Sequence, residues 1–551
     1  SLVGSEMCIR DRFFGKNAGG YMPIIVNQIS SPLNATEQEV ISTALKKLGS
    51  ASKHAIDCEI HKSSLDARKR NDIHFVHSVF VTLDSADLEK KLCEKNTSLT
   101  YVERSVYKPV ISTEKAEGKV VIAGFGPAGM FAGLALAEQG YRPIILERGS
   151  SMEKRTASVQ KFWLTGELDT NCNVQFGEGG AGTFSDGKLT TRIKDPLCRY
   201  VLERFVDFGA PKEILTKAKP HIGTDNLRNI VTAIRKRIIE LGGEVRFDTA
   251  LTDLAVANGK VHTISAGDKN EKVSAVILAI GHSARDTFEL LQCKNIFLEP
   301  KPFSVGARIE HKQVAVDESL YGDHAGNPLL PKGEYQLSWR DKNGRGVYTF
   351  CMCPGGTVVP SASESGGTVT NGMSEFARDG ENANAAVVVA VTPDDFGHCP
   401  LDGVAFARSI EQKAYTLTGS YKGAGTTVGG FLDGKPEIAG TVSPTYALGC
   451  KATELRDVFP KFVTDMLEGG LQNFSRKMKC FGDKGAMLTA PETRTSSPVR
   501  ITRNADMVSL SVENLYPCGE GAGYAGGIMS AAVDGLKAAM QIMTRQAPCD
   551  K

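Results

Sequence analysis

Three glycine-rich stretches carry the residues most suited to chemistry. The first, Gly124-Phe-Gly126-Pro127-Ala128-Gly129, follows the apolar run Lys119–Ala123 and precedes an Ala- and Leu-rich run over 130–139. In a strand–turn–helix unit the first glycine permits the sharp turn and the second lets backbone approach a pyrophosphate. The third allows helix and strand to pack closely. The phosphates then meet unpaired amides at the positive end of the helix. A second apolar run, 143–146, ends in Glu147 and Arg148. An acid about 20 residues past the glycines suits a ribose diol. Strand, turn, helix, strand and acid in this order point to a bound dinucleotide.

The second stretch runs from Asn171 to Lys188, with Gln175, Gly177, Gly179, Gly180, Ala181 and Gly182 at its centre. So many small residues let backbone pack against a flat ring or phosphates, and Glu178 and Lys188 add charge. The third stretch contains Gly519, Glu520, Gly526, Gly527, Ile528 and Met529, after a short strand-like run and before a helix-like one. Ala250 and Gly281 close two further strand-like runs at 242–249 and 275–281. With a long insertion between the second and third stretches, the layout resembles flavoproteins with two dinucleotide-binding domains related to glutathione reductase. That resemblance implies FAD, with a Gly-Asp strand end holding the ribityl chain. Here Glu520 stands where the Asp would be. Helix-end amides at 526–529 would stabilise negative charge on a reduced flavin while hydride passes at N5.

Across 22–543 the chain further resembles a bacterial family of largely uncharacterised FAD-dependent dehydrogenases. The resemblance rests on Asp66-Ala-Arg-Lys, the glycine turn, 175–188, Pro220-His-Ile-Gly-Thr-Asp225, Lys301-Pro-Phe-Ser-Val-Gly306 and 519–527. It implies a non-covalent flavin passing hydride to or from an unidentified small metabolite. No second strand–GxGxxG–helix unit provides a nicotinamide domain, so NAD(P)H is expected at most as a transient partner. Residues 423–430 read as a glycine-rich loop. An RNA-modifying flavoenzyme and a non-catalytic flavin sensor or scaffold stay open as alternatives.

No catalytic side chain is singled out. His221 reads as a turn residue, while His282 and Arg285 fit a supporting role as well as a catalytic one. Arg308 and Glu310 would share a strand face beside His311, as a surface or domain-interface ion pair. Arg494 or Arg500 could meet an anion or the flavin. Cys351 and Cys353 form a CxC read as ordinary thiols, and the lack of a CxxC disfavours a disulfide reductase.

These residues need elements to hold them. The expected fold class is α/β: a Rossmann-type FAD-binding domain with an inserted α+β substrate domain and an N-terminal ferredoxin-like module. The boundaries read as 22–112 for the module and 113–300 for the first part of the FAD-binding domain. The inserted cap takes 301–485, and 486–551 closes the FAD-binding domain. Within the module, Asn34 or Thr36 caps the first helix and the order is βαββα. Residues 1–21 are set aside as a non-native or disordered leader, with Met22 as a start. Residues 110–118 suit a linker.

Composition limits the partners. Of 551 residues, 41% are hydrophobic and 23% charged, and the formal net charge is +2, which gives no case for nucleic-acid affinity. Apolar runs are too short to span a bilayer, and the 13 cysteines are scattered and odd in number. A cytoplasmic protein with a small-molecule substrate, no metal and an open oligomeric state is the expectation.

Overall fold

The computed structural model describes residues 24–102 and 107–548; the expected leader lies outside them. The chain forms two compact units. One comprises the residues up to 107 together with 212–220 and 327–330, and the other holds the remainder.

In the first unit the order is strand Ile24–Ser31, helix Glu37–Leu48, strands Ala55–Asp66 and His74–Leu83, helix Ala86–Lys95 and strand Leu99–Tyr101. The first strand lies between the third and the fourth, and the second is at the edge. This is the ferredoxin-like βαββαβ arrangement. Thr36 is the helix cap, accepting from the Glu39 amide while the Glu39 carboxylate accepts from the Thr36 amide at 2.8 Å. The closing strand has only three residues, too few to show alternation in the sequence. Val26, Val40, Ala44, Val79 and Val81 fill the core.

The second unit contains two large sheets. In the first, parallel strands run in the order Glu244–Arg246, Ile144–Leu146, Lys119–Ala123, Lys269–Leu278 and Leu515–Pro517. The strands Leu251–Ala257 and Lys260–Ala266 form an antiparallel meander onto the first half of Lys269–Leu278. Buried Val120, Val121, Ile122, Ile144 and Ile145 reflect a parallel sheet covered on both faces. Helix Pro127–Glu138 packs on helices Thr224–Glu240 and Ile528–Arg545. The chain thus leaves this sheet after Leu278 and returns to complete it at Leu515.

The other large sheet has seven strands, with Phe303–Lys312 central between Asn382–Val391 and Met487–Glu492. Helices Asp402–Thr418 and Lys461–Lys477 contribute Ala407, Ile410, Leu467 and Phe474 to its core. Residues 423–430 are not the expected loop. Gly423–Thr427 is a buried strand and Val428–Asp433 a short helix. The glycines are there because neighbours crowd them. A Cβ on Gly423 would stand 2.5 Å from Thr489 Cγ2, and one on Gly425 would stand 2.6 Å from Met487 Cε.

Candidate functional site

The glycine turn is built as its spacing demands. Gly124 has φ of 101°, a left-handed region that favours glycine, and a Cβ there would lie 2.3 Å from the Ala279 carbonyl oxygen. A Cβ on Gly129 would come within 1.9 Å of the Gly124 oxygen, so any larger residue would separate strand from helix. Pro127 opens the helix, and Gly126, its cap, offers no side chain to the first amides. Helix Ile528–Arg545 likewise begins at Gly527 without a side-chain cap.

The other stretches converge on this turn. A Cβ on Gly180 would stand 2.9 Å from Gly126 Cα, and one on Gly182 would stand 3.0 Å from Ile528 Cγ1. One on Gly519 would meet Ala128 Cβ at 2.8 Å, and one on Gly521 the Gly281 oxygen at 2.4 Å. The Gly179 amide donates to the Phe125 carbonyl at 2.9 Å. Ala181 begins the turn Ala181–Phe184, and Met529 is buried in the first turn of its helix. By contrast, nothing lies within 4 Å of a Cβ on Gly281, Gly526 or Gly527. Open space at Gly281, Gly526 and Gly527, beside the uncapped start of Ile528–Arg545 and the stretches gathered on the glycine turn, is a cradle that fits a dinucleotide.

Glu147 is mostly committed to backbone. Its carboxylate accepts from the amides of Phe125, Gly149 and Gly177 at 2.8, 2.9 and 2.9 Å, which ties the turn to the second stretch. Three bonds on about four acceptor positions leave room for one hydroxyl. The Thr249 amide, just before Ala250, donates to the Glu147 carbonyl at 2.9 Å. Arg148 lies over the Phe176 ring and pairs with Asp286 at 2.7 Å. Gln175 is buried, accepting from Ser283 Oγ at 3.1 Å and donating to Ser361 Oγ at 2.6 Å.

Two expected sources of charge turn elsewhere. Glu178 is fully buried, accepting from the Met152 amide at 2.7 Å and pairing with Arg235 at 2.8 Å. Burial pushes its carboxyl pKa up. Lys188 pairs with Asp186 at 2.9 Å and donates to the Met352 carbonyl, in the seven-stranded sheet.

Several organising residues left no motif in the sequence. Arg155, fully buried, donates to the carbonyls of Asn173, Val174, Gly177 and Glu178 at 3.0, 2.9, 3.3 and 2.6 Å, and so fixes the glycine loop. Asp534 accepts from the Gly519 amide at 2.7 Å and pairs with Arg503. It did leave a trace, as a lone acid within an otherwise apolar helix stretch.

Glu520 and His282 lie beside the cradle, with 3.9 Å between carboxylate oxygen and Nε2. Burial lifts the Glu520 carboxyl to about 7, against the pull of Lys301. Burial, together with Arg494 and Arg285, drives His282 down to about 3, so its ring is neutral at physiological pH. Its Nδ1 is 3.0 Å from Ser283 Oγ, which continues to Gln175.

Among the described residues the expected surface or domain-interface pair of Arg308 with Glu310 is absent. Both are buried, because their strand is central and covered on both faces. Arg308 binds Glu492 through two 3.0 Å bonds, while Glu310 accepts from Thr445 Oγ1 at 2.6 Å. His311 packs on Phe481 at a 4.7 Å ring separation. His221 holds a turn, with Nε2 3.1 Å from the Phe376 carbonyl. Arg494 and Arg285 both clamp buried Glu411, at 2.9 and 2.8 Å, leaving Arg494 Nη1 without a partner among the described residues. Arg500 lies over the Tyr524 ring. Among the described residues no His, Cys, Asp and Glu cluster could hold a metal, and no helix is long and apolar enough to cross a membrane.

Residues 302–495 match the family model described as FAD-dependent protein, C-terminal domain-like, and 22–82 match a domain of unknown function. An uncharacterized protein of Clostridium beijerinckii is 45% identical over 529 residues, covering 95% of this chain and 99% of that one. Among solved structures, a flavoprotein/dehydrogenase from Cytophaga hutchinsonii is similar at 11% identity and a TM-score of 0.37, over 78% of this chain and 79% of that one. Glycine oxidase from Bacillus cereus is similar at 11% identity and a TM-score of 0.30, over 78% and 96%. TM-scores this low give the two likenesses no bearing on chemistry. The chain belongs to the family of the Clostridium beijerinckii protein, and its 302–495 region is that of the FAD-dependent proteins.

Proposed function

We propose that the protein is an FAD-dependent oxidoreductase of the glutathione-reductase-like type, moving hydride to or from a small metabolite. The observation that carries this reading is the cradle: the glycine stretches gather beside open space at Gly281, Gly526 and Gly527 and the uncapped start of Ile528–Arg545, in a chain whose 302–495 region is of the FAD-dependent kind. The turn 124–129 would take the pyrophosphate, Glu147 a ribose hydroxyl, and 177–182 with 526–529 the ring system. When bound, the flavin supplies hydride acceptance and donation.

The chain's own residues prepare the site. The helix start at Gly527, which has no side-chain cap, would face developing negative charge, while the Gly526 amide is held by Ser530 Oγ at 3.1 Å. Glu520, near 7, can hold or release a proton close to neutrality, as an acid–base group requires. Neutral His282 stands between Glu520, 3.9 Å from its Nε2, and Ser283 Oγ, 3.0 Å from its Nδ1. The substrate domain is the seven-stranded sheet and its helices, as an insertion between Leu278 and Leu515. No membrane or nucleic-acid partner is part of this reading, and a cytoplasmic location accords with it.

The test is a visible spectrum of purified protein, followed by anaerobic addition of NADH and NADPH separately. Flavin bands that bleach with a nicotinamide make it a reductase half-reaction. Bands that neither nucleotide bleaches point to reduction by the enzyme's own substrate. A colourless protein that FAD cannot reconstitute would end the proposal.

A further inference from the structure

The strand Gly346–Cys353 pairs regularly with Asn382–Val391 as far as Phe350 opposite Ala386, and then Cys353 stands opposite Asn384. One extra residue is accommodated there, so Cys351 and Met352 form a β-bulge, a device that re-aims side chains. Cys351 has φ of 45°, a strained backbone for a residue with a side chain. The bulge turns Cys353 back on Cys351, with its sulfur 3.4 Å from the Cys351 carbonyl oxygen. Cys353 is fully buried, whereas Cys351 keeps partial exposure.

Two cations grip the backbone between the thiols. Arg308 donates to the Cys351 carbonyl at 2.9 Å and Lys188 to the Met352 carbonyl. The carboxylates facing the pair are Asp186, Glu492 and Glu520. Asp186 is already bound by Lys188 and Arg378, and Glu492 by Arg308.

We propose that Cys351 and Cys353 are a redox-active dithiol that reduces small disulfides by thiol–disulfide exchange. The Cys351 thiolate attacks one sulfur of R–S–S–R′, forming a Cys351–S–S–R bond and releasing R′S⁻, which takes a proton from solvent. Cys353 then attacks the Cys351 sulfur, its proton leaving with RS⁻ as RSH. The pair ends as a disulfide, and the substrate as two thiols. The charges support this division of labour. Neighbouring Cys353, then Arg308 and Lys188, hold Cys351 well below the ordinary thiol range despite burial and Asp186, while Cys353 is held well above it. A nucleophile that is thiolate at neutral pH beside a protonated resolving thiol is what exchange needs. Cys450 and Cys480, without such cations, are pushed up by burial to about 12 and about 11. The sequence shows the CxC, but neither the bulge nor the cations.

The inference stands apart from the flavin reading, because its readout is on thiols. Full-length protein is reduced, freed of reductant anaerobically, and exposed at pH 6.5 to glutathione disulfide or oxidised dithiothreitol. It is then acid-quenched, alkylated and mapped by mass spectrometry. The Cys351–Cys353 peptide should lose two hydrogens, while exposed Cys293 and Cys399 remain alkylated. Cys353→Ser should trap glutathione on Cys351. In the wild type, iodoacetamide should label Cys351 at pH 6 at least about tenfold faster than Cys399, with a pH midpoint well below 8. Failure of both disulfides to oxidise the pair, or a Cys351 labelling midpoint near 8.5, overturns the proposal even if a variant misfolds. A colourless protein that exchanges keeps this inference and loses the flavin one.

Discussion

Arg155 places every donor nitrogen of its guanidinium on carbonyls of a single loop, and burial lowers its pKa to about 10 while leaving it charged at pH 7. Truncation would leave several buried carbonyls without a donor, each worth about 1–3 kcal/mol. Arg155→Met should therefore lower stability by at least about 3 kcal/mol, seen as a shifted urea midpoint, with flavin content falling in parallel. An unchanged midpoint would refute the loop-fixing role. Glu520 yields a prediction with a sign. Its folded pKa, raised from 4.5 to about 7, means its contribution to stability is complete below pH 4.5 and is lost as pH rises through 7. Glu520→Gln, measured without added flavin, should raise Tm at pH 8 and leave it unchanged at pH 4.5. Lys188→Met removes a cation from Cys351 and should slow its alkylation at pH 6 several-fold. An unaltered rate would mean that Lys188 does not tune the thiol.

At the scale of elements, the contact between helices Pro127–Glu138 and Ile528–Arg545 depends on Gly535. A Cβ there would stand 2.0 Å from the Ala128 oxygen, at the helix end that also borders Gly519. Gly535→Val should destabilise by about 2 kcal/mol or more through forced separation and reduce flavin retention. Gly482→Ala, whose Cβ would meet nothing within 4 Å, should change neither, which separates crowding from a general intolerance of glycine replacement. The strand, glycine turn, helix and acid of 119–147 were legible because each local preference agrees with the tertiary role. The glycine loop was legible as a cluster, though not its mooring, since Arg155 lies on an ordinary amphipathic helix. Residues 423–427 misled because glycine signals a loop when read locally, whereas here it answers crowding from Thr489 and Met487. Arg308 and Glu310 read as a surface or domain-interface pair because strand centrality is set by pairings more than 70 residues away in the chain.

Over the whole second unit, Glu411 is the electrostatic hub. Arg285 comes from the helix Arg285–Cys293, Glu411 from Asp402–Thr418, and Arg494 from just beyond the strand Met487–Glu492. Glu364 joins Arg285 and Arg408 to the same network. The two arginines hold Glu411 at about 2 against burial, below its ordinary 4.5. Its stabilisation is therefore complete above pH 4.5 and is lost as pH falls toward 2. Glu411→Gln should cost about 3–5 kcal/mol at pH 7 by leaving two arginines under-compensated, and should flatten acid unfolding between pH 4.5 and 2. An acid limb as steep as the wild type's would place the sensitivity elsewhere.

The parallel sheet receives its last strand, Leu515–Pro517, long after the strand it joins, Lys269–Leu278, has been made. On a ribosome adding about 5–20 residues per second, that gap lasts on the order of tens of seconds. During it, Val276 and Ile277 have an open edge where Leu515 and Tyr516 will later pair. A nascent chain stalled before Leu515 should bind chaperone and retain no cofactor, and one extended past Arg545 should lose the chaperone and gain the cofactor together. Biosynthesis of this protein is thus gated by a distant segment: the nucleotide cradle, begun at Gly124, can be loaded only after Leu515–Pro517 and the helix Ile528–Arg545 have been made.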